Sequence, residues 1–171
     1  MNGMVERIWK LFNEETTRID ELRRRVNHDL LTGLPNRDYF MSYFRAHLMA
    51  TETAQCGVLV LIRLSDLNNM NAVLGRIETD NLLREVGQIA NDFSRQYEDA
   101  LPGRIKAGEI AIMLAGECDA DKVLQQVSAI LKAQLLEKRP GLTDIYQLGA
   151  VRFERAGNLV EILSRIDHAL T

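Results

Sequence analysis

Residues 103–114 read GRIKAGEIAIML, the most informative stretch of this 171-residue chain. Ile110 to Leu114 form a continuous apolar run, which is typical of a strand that is buried on both faces. Before that run, Lys106-Ala107-Gly108-Glu109 contains the glycine and the polar residues of a tight turn. The stretch therefore predicts a β-hairpin. A turn of this kind at the rim of a sheet can hold a phosphate or a metal ion, but this one offers a single carboxylate, Glu109.

Apolar strands alternate with amphipathic helices on both sides of the hairpin. The composition of residues 57–64 and 145–153 predicts further strands. Apolar periodicity predicts helices at about 78–97, 119–135 and 159–170, and Pro102-Gly103 is expected to end the connection into the hairpin. Strands that alternate with helices indicate an α/β fold of ferredoxin-like or polymerase-palm type.

The N-terminal segment predicts one long helix that carries an apolar stripe. Nothing in residues 4–28 breaks a helix, and apolar residues recur at alternating steps of three and four, with Glu15 the one charged exception. The stripe residues are Val5, Ile8, Phe12, Ile19, Leu22 and Val26. This spacing is typical of a coiled-coil seam, because apolar a and d positions bury against a partner helix. We expect a stalk that forms a parallel homodimer; a helix folded back on its own domain is the alternative.

Composition excludes several functional classes. The net charge of −3 and the pI near 5.7 provide no broad positive field for nucleic acid, and the one basic run, residues 23–25, is typical of a solvated helix face. Cys56 and Cys118 have no histidine at ligand spacing, so we expect neither a zinc site nor a disulfide framework, which suits a reducing cytoplasm. No apolar run is long enough to span a membrane. Of the three histidines, His47 occupies a surface-compatible helix position, and none is expected to be a catalytic base.

Residues 29–40, DLLTGLPNRDYF, contain the second informative motif. Gly33 and Pro35 predict a turn, and Asn36 predicts the N-cap of the next helix. The segment closely resembles the D-x-LTGLPNR-x-x-F segment that opens GGDEF domains, the diguanylate cyclase family. KAGEI at 106–110 stands where GGDEF would be, and residues 166–170 resemble the family's AD-x-AL segment. The resemblance covers about 29–170 and implies a central, mainly antiparallel sheet flanked by helices.

The same resemblance implies that the cyclase chemistry is absent. In an active member, magnesium holds the GTP triphosphate through carboxylates at the end of the first strand and in the GGDEF turn. In this chain, Arg63 occupies the position of the strand-end aspartate, and Ser65 occupies that of the second aspartate of the strand motif. Asp66 is one residue further on, and we expect its side chain on the opposite face of the strand. The turn positions are Lys106, Ala107, Gly108 and Glu109, so one carboxylate remains. A frame shifted by one residue, with 107–109 over Gly-Gly-Glu, is the alternative; it leaves Arg63 in place.

At some positions of the family's nucleotide sites, this chain keeps a residue of the same chemical type. Asn71 and Asp80 fall where the family places base-recognising side chains, which implies weak GTP binding; a loop amide and a helix-start carboxylate that bind local backbone are the structural alternative. The RxxD motif of the product-inhibition site falls on Tyr97 and Ala100, which implies that feedback inhibition is lost. We expect no metal ion and no cofactor.

The run that follows Arg63 resembles the degenerate GGDEF domain of LapD-type receptors, inner-membrane proteins whose C-terminal EAL domain binds cyclic di-GMP. This resemblance implies a stalk at 1–28 and a degenerate GGDEF domain at 29–171, cut from a longer protein. Such a domain is cytoplasmic and relays a signal in the control of biofilm formation and cell adhesion. Its expected partners are its own dimer mate, the EAL domain of the same protein and an active diguanylate cyclase, with cyclic di-GMP bound elsewhere. A GTP-binding regulatory domain and an active cyclase are the alternatives.

Overall fold

The computed structural model describes residues 2–52 and 54–170, which form six α-helices and four strands. The helices are α1 (Asn2–Asn27), α2 (Arg37–Met49), α3 (Leu67–Leu74), α4 (Arg76–Ser94), α5 (Ala120–Leu131) and α6 (Leu159–Ala169). The strands are β1 (Cys56–Leu64), β2 (Ala100–Lys106), β3 (Glu109–Ala115) and β4 (Tyr146–Glu154). A π-helical segment, Lys132–Leu136, continues α5.

The four strands form one antiparallel sheet in the order β2-β3-β1-β4. The predicted α/β fold with an antiparallel sheet flanked by helices is therefore confirmed. Pro102 and Gly103 lie inside β2 rather than before it. A proline is compatible with this position because β2 is at the edge of the sheet, where one side of the strand needs no ladder hydrogen bonds.

The core consists of two apolar layers, one on each face of the sheet. Alternate residues of β1 enter opposite layers: Val60 and Ile62 pack with α3, α4 and α5, whereas Leu59 and Leu61 pack with α2 and α6. Both faces of β1 are covered, so its sequence is apolar throughout rather than alternating. The sheet is thus held between two groups of helices, and the hairpin turn lies at its rim.

Helix α1 carries its apolar stripe in the open. The stripe residues that we predicted as a coiled-coil seam, Val5 to Val26, have relative exposures of 47–70%. A helix folded back on its own domain would bury them, so that alternative is wrong for the described chain. Within the described ranges, no helix is long and apolar enough to cross a membrane.

His47 is buried, so the predicted surface position was wrong. It lies three residues after Phe44 and seven after Phe40, which places all three on the same buried face of α2. Its Nδ1 is 3.7 Å from Oδ2 of Asp99, and its ring meets Phe153 edge to face. Histidine occurs both in protein interiors and at surfaces, so the residue type alone does not predict the burial of His47.

The structure joins Cys56 and Cys118 in a disulfide, contrary to our expectation. The two residues are 62 positions apart, and their Cα atoms are 5.6 Å apart. Gly57 pairs with Ala115 in the sheet, so the chain that leaves β3 returns to the start of β1. Sequence spacing does not reveal this proximity, because it arises from pairing between distant strands.

Candidate functional site

The predicted hairpin is confirmed, and its turn connects β2 to β3. Lys106 at the end of β2 pairs with Glu109 at the start of β3, so the two residues between them form the turn. The carbonyl oxygen of Ala107 accepts hydrogen bonds from Nε and Nη2 of Arg104, at 3.2 and 2.7 Å. The side chain of Arg104, which lies in the same hairpin, therefore stabilises the turn.

Arg63 lies at the centre of the candidate site. It is opposite Glu109 in the register of β1 and β3, and its Nε donates to Oε1 of Glu109 at 2.7 Å. Its Nη2 is also 2.7 Å from Oε1 of Glu109 and 2.7 Å from Oδ1 of Asp167 in α6. One guanidinium therefore connects the central strand, the hairpin turn and the last helix.

The carboxylate of Glu109 is the most buried charge of the site. The side chain of Glu109 is 9% exposed, against 31% for Arg63 and 52% for Asp167. Burial opposes the charge on Arg63, but the hydrogen bonds and attraction of Glu109, and then of Asp167, raise its pKa above the ordinary value. Lys106 adds a second cation, with Nζ 3.9 Å from Oε2 of Glu109. The carboxylate of Glu109 thus lies within 4.0 Å of two cations, Arg63 and Lys106.

Residues 65 and 66 leave the strand. The amide of Ser65 donates to the carbonyl of Ile145 at 2.9 Å. Asp66 is the N-cap of α3, and its side chain accepts from the amide of Asn69. The expectation that strand alternation would orient Asp66 was wrong, because β1 ends at Leu64 and the helix begins three residues later, at Leu67. In the described chain, no group of three or more His, Cys, Asp or Glu residues could hold a metal ion.

Asn71 and Asp80 lie on the two helices that meet at Gly75, which has a φ of +86°. Asn71 is inside α3 rather than in a loop, and Asp80 is one turn into α4 rather than at its start. Neither side chain forms a hydrogen bond or an ion pair with a residue that the structure describes. The two residues thus lie inside helices rather than in a loop and at a helix start, and their role in nucleotide binding stays a prediction.

The positions expected for the product-inhibition motif carry other contacts. The hydroxyl of Tyr97 is 3.4 Å from Oε1 of Gln126 in α5, and Ala100 is the first residue of β2. A phenol and a methyl group cannot form the charged fork that binds a phosphate.

A second arginine connects the segment that follows α1 to the hairpin. Nη1 of Arg104 is 3.1 Å from both carboxylate oxygens of Asp29, while its Nη2 donates to Ala107 in the turn. Oδ2 of Asp29 also accepts from the amide and the hydroxyl of Thr32, each at 2.8 Å. Burial alone would raise the pKa of Asp29, but the hydrogen bonds from Thr32 and from Arg104 lower it below the ordinary value.

A model of the diguanylate cyclase GGDEF domain matches residues 26–171, most of the chain. The chain belongs to the GGDEF family. The cyclic di-GMP phosphodiesterase PdeR of Escherichia coli strain K12 is 28% identical over 134 residues, which cover 78% of this chain and 20% of that protein. This GGDEF chain therefore spans about a fifth of the length of the curated relative that it matches.

Solved GGDEF structures share the fold. The S helix-GGDEF-EAL portion of Vibrio cholerae LapD bound to c-di-GMP has a TM-score of 0.75 and 22% identity, covering 93% of this chain and 37% of that one. The coiled coil and GGDEF domain of Caulobacter crescentus DgcB, in complex with c-di-GMP, has a TM-score of 0.78 and 18% identity, covering 98% and 91%. The family and the fold predicted from the opening segment and the hairpin are thus confirmed.

The GGDEF fold brings some of the predicted site residues together and separates others. Arg63, Lys106 and Glu109 converge at the hairpin, whereas Ser65 binds the backbone before β4, and Asn71 and Asp80 lie on helices α3 and α4. Sequence reasoning missed two contributors, Arg104 and Asp167. Asp167 lies in the matched AD-x-AL segment and Arg104 in the quoted hairpin, so both signals were available, but their partners are distant in sequence.

Proposed function

We propose that this chain is a catalytically inactive GGDEF domain that relays a signal and binds protein partners in a cyclic di-GMP receptor of LapD type. The observation that supports the proposal is the ion pair of Arg63 with Glu109. Magnesium requires hard oxygen ligands, mainly carboxylates, to hold a triphosphate. The only carboxylate of the described turn is engaged by a guanidinium at 2.7 Å. A metal ion would have to displace that cation before it could bind.

The electrostatic barrier to such displacement is large. A unit charge about 4 Å from a like charge is repelled by about 4 kcal/mol at an effective dielectric of about 20, and magnesium carries two such charges. Arg63 and Lys106 both lie within 4 Å of Glu109, so a metal ion there would face two cations. We infer that the site does not assemble the metal and triphosphate of an active cyclase.

In this proposal, residues 1–28 form the stalk and residues 29–171 form the degenerate GGDEF domain. The exposed stripe of α1 joins two copies of the chain as a parallel coiled coil. Movement of the stalk reaches the hairpin through Asp29, which follows the stalk directly, and through Arg104, whose contacts at 3.1 and 2.7 Å link Asp29 to Ala107. This path supports a relay role, because the side chain of Arg104 contacts both Asp29, next to the stalk, and Ala107 in the turn.

The proposed setting is the cytoplasmic side of an inner-membrane receptor that regulates biofilm formation and cell adhesion by inside-out signalling. The domain contacts the EAL domain of the same protein, its dimer mate or an active diguanylate cyclase, and cyclic di-GMP binds elsewhere in the protein. The likeness in fold to the LapD S helix-GGDEF-EAL structure supports this setting, and this chain corresponds to 37% of that structure.

A GTP-binding regulatory domain is the second candidate. The side chains of Asn71 and Asp80 form no hydrogen bond or ion pair with a described residue. Their polar groups are therefore available to hydrogen-bond a guanine base. This role requires no turnover and is compatible with the Arg63 ion pair.

Calorimetric titration of the purified chain with GTP and magnesium, and separately with cyclic di-GMP, tests the proposal. We expect no heat from either ligand at high micromolar concentration and no cyclic di-GMP from incubation with GTP. Heat with GTP that is lost in Asn71→Ala and in Asp80→Ala would replace the relay role with the regulatory one. Asn68→Ala, an exposed neighbour in α3, is the matched control. Formation of cyclic di-GMP would overturn the proposal.

A further inference from the structure

The disulfide connects two separate parts of the GGDEF domain. Cys56 is the first residue of β1, and Cys118 lies in the loop between β3 and α5. Their Cα atoms are 5.6 Å apart, within the span of roughly 4.4–6.8 Å that a disulfide bridges without backbone movement. These are the chain's two cysteines, and both are half-buried, so small thiol reagents can reach them.

Contacts other than the bond hold the two cysteines in place. The amide of Gly116 donates to the carbonyl of Cys56 at 3.0 Å, and Gly116 has a φ of +86°, which turns the loop back toward β1. Oε1 of Glu117 accepts from the amides of Cys118 and Asp119, at 2.9 and 3.0 Å. The loop is therefore held by hydrogen bonds that do not depend on the covalent bond.

The entry to α5 supports the same arrangement. Asp119 caps α5 by accepting from the amide of Lys122, and Nζ of Lys122 is 3.1 Å from Oε2 of Glu117. The pKa of Glu117 lies below its ordinary value, first because the amide of Asp119 donates to it and then because Lys122 does. The carboxylate beside Cys118 is thus already satisfied, and breaking the disulfide leaves it so.

We propose that Cys56 and Cys118 form a reversible thiol–disulfide exchange site whose reaction partner is a low-molecular-weight disulfide of the glutathione type. In the oxidising direction, one cysteine thiolate attacks the small disulfide and releases one small thiol, which leaves a mixed disulfide on the protein. The second cysteine then attacks that mixed disulfide and releases the second small thiol. Two protein thiols and one small disulfide give one protein disulfide and two small thiols, so atoms and electrons balance.

The bond changes the constraint on one corner of the domain. In the oxidised chain, the start of β1 is covalently tied to the loop that caps α5; in the reduced chain, the hydrogen bonds of Gly116 and Glu117 hold the same corner alone. Because these hydrogen bonds keep the thiols adjacent, the domain cycles between the two forms without unfolding. This site lies at the start of β1, whereas Arg63 and its partners Glu109 and Asp167 lie near the strand's other end. The exchange site therefore does not depend on nucleotide chemistry.

Incubation of the purified chain in buffers of graded reduced and oxidised glutathione tests the proposal. Acid quenching and labelling of free thiols with a maleimide–polyethylene glycol reagent count the thiols by gel shift. We expect two labels in reducing buffer and none in oxidising buffer, without dimers, and full recovery of labelling on return to reducing buffer. The oxidised form should melt at least about 4 °C above the reduced form. Cys56→Ser and Cys118→Ser should each lose the shift in melting temperature.

Peptide mapping of the wild-type chain by mass spectrometry tests the proposal without any substitution that could disturb folding. A cross-linked peptide pair containing residues 56 and 118 in oxidising buffer is the expected result. Two free thiols at every glutathione ratio, stable mixed disulfides with glutathione, or cross-links only between chains would each overturn the proposal.

Discussion

Replacement of Arg63 by methionine should destabilise the domain far more than its partial exposure suggests. The substitution keeps the apolar stem and removes the guanidinium, which leaves the carboxylate of Glu109 buried with Lys106 at 3.9 Å as its remaining described cation. Breaking a buried ion pair from one side costs about 3–5 kcal/mol. Since Arg63 itself is 31% exposed, we expect a loss of about 2–3 kcal/mol in the free energy of unfolding.

Denaturant titration at pH 7 measures this loss, and a thermal scan should show a decrease in melting temperature of roughly 5–10 °C. The matched control is Arg152→Met. Arg152 contacts Glu154 at 2.8 Å, but both side chains are more than half exposed, so its loss should cost under about 1 kcal/mol. The double variant Arg63→Met with Glu109→Gln should recover at least about 1 kcal/mol, because the neutral amide no longer needs a cation. Equal losses from Arg63→Met and Arg152→Met would refute the reasoning.

Three further predictions concern the junction, the seam and the metal position. Asp29→Asn should cost about 1.5–3 kcal/mol at pH 7 by weakening the charged hydrogen bonds to Arg104. Because the pKa of folded Asp29 is depressed, that difference is present above about pH 4 and should vanish in urea titrations as the pH falls below the folded pKa. Ile19→Glu should weaken dimerisation at least about tenfold in sedimentation equilibrium, whereas Thr17→Glu, off the stripe, should not. Arg63→Asp should produce no cyclic di-GMP from GTP and magnesium, since the turn still lacks its second carboxylate; measurable turnover would contradict this.

Local patterns in the sequence predicted most of the fold. The apolar run of β3, the N-cap at Asn36 and the alternation of strands and helices each depend on neighbouring residues, and each is present in the structure. The limits of α4 were less accurate: the helix begins at Arg76 and ends at Ser94, because Gly75 turns the chain directly from α3 into α4.

Interactions between distant residues were not predictable in the same way. The sequence identified Arg63 as unusual, but its partner in α6 depends on how the last helix crosses the sheet rim. Likewise, the disulfide follows from the pairing of β1 with β3, which no spacing rule reveals. The candidate site was therefore located from the sequence, whereas the ion pairs that define its chemistry came from the tertiary structure.

The strand order also affects how the chain folds. Among the described strands, β2 and β3 alone are joined by a tight turn; β1 pairs with β3 and β4, which follow it far along the chain. Local contacts form with less loss of chain entropy than distant ones, so the hairpin should be the earliest part of the sheet to assemble. The KAGEI turn should therefore bring the first two strands together, and the rest of the sheet is then added to them.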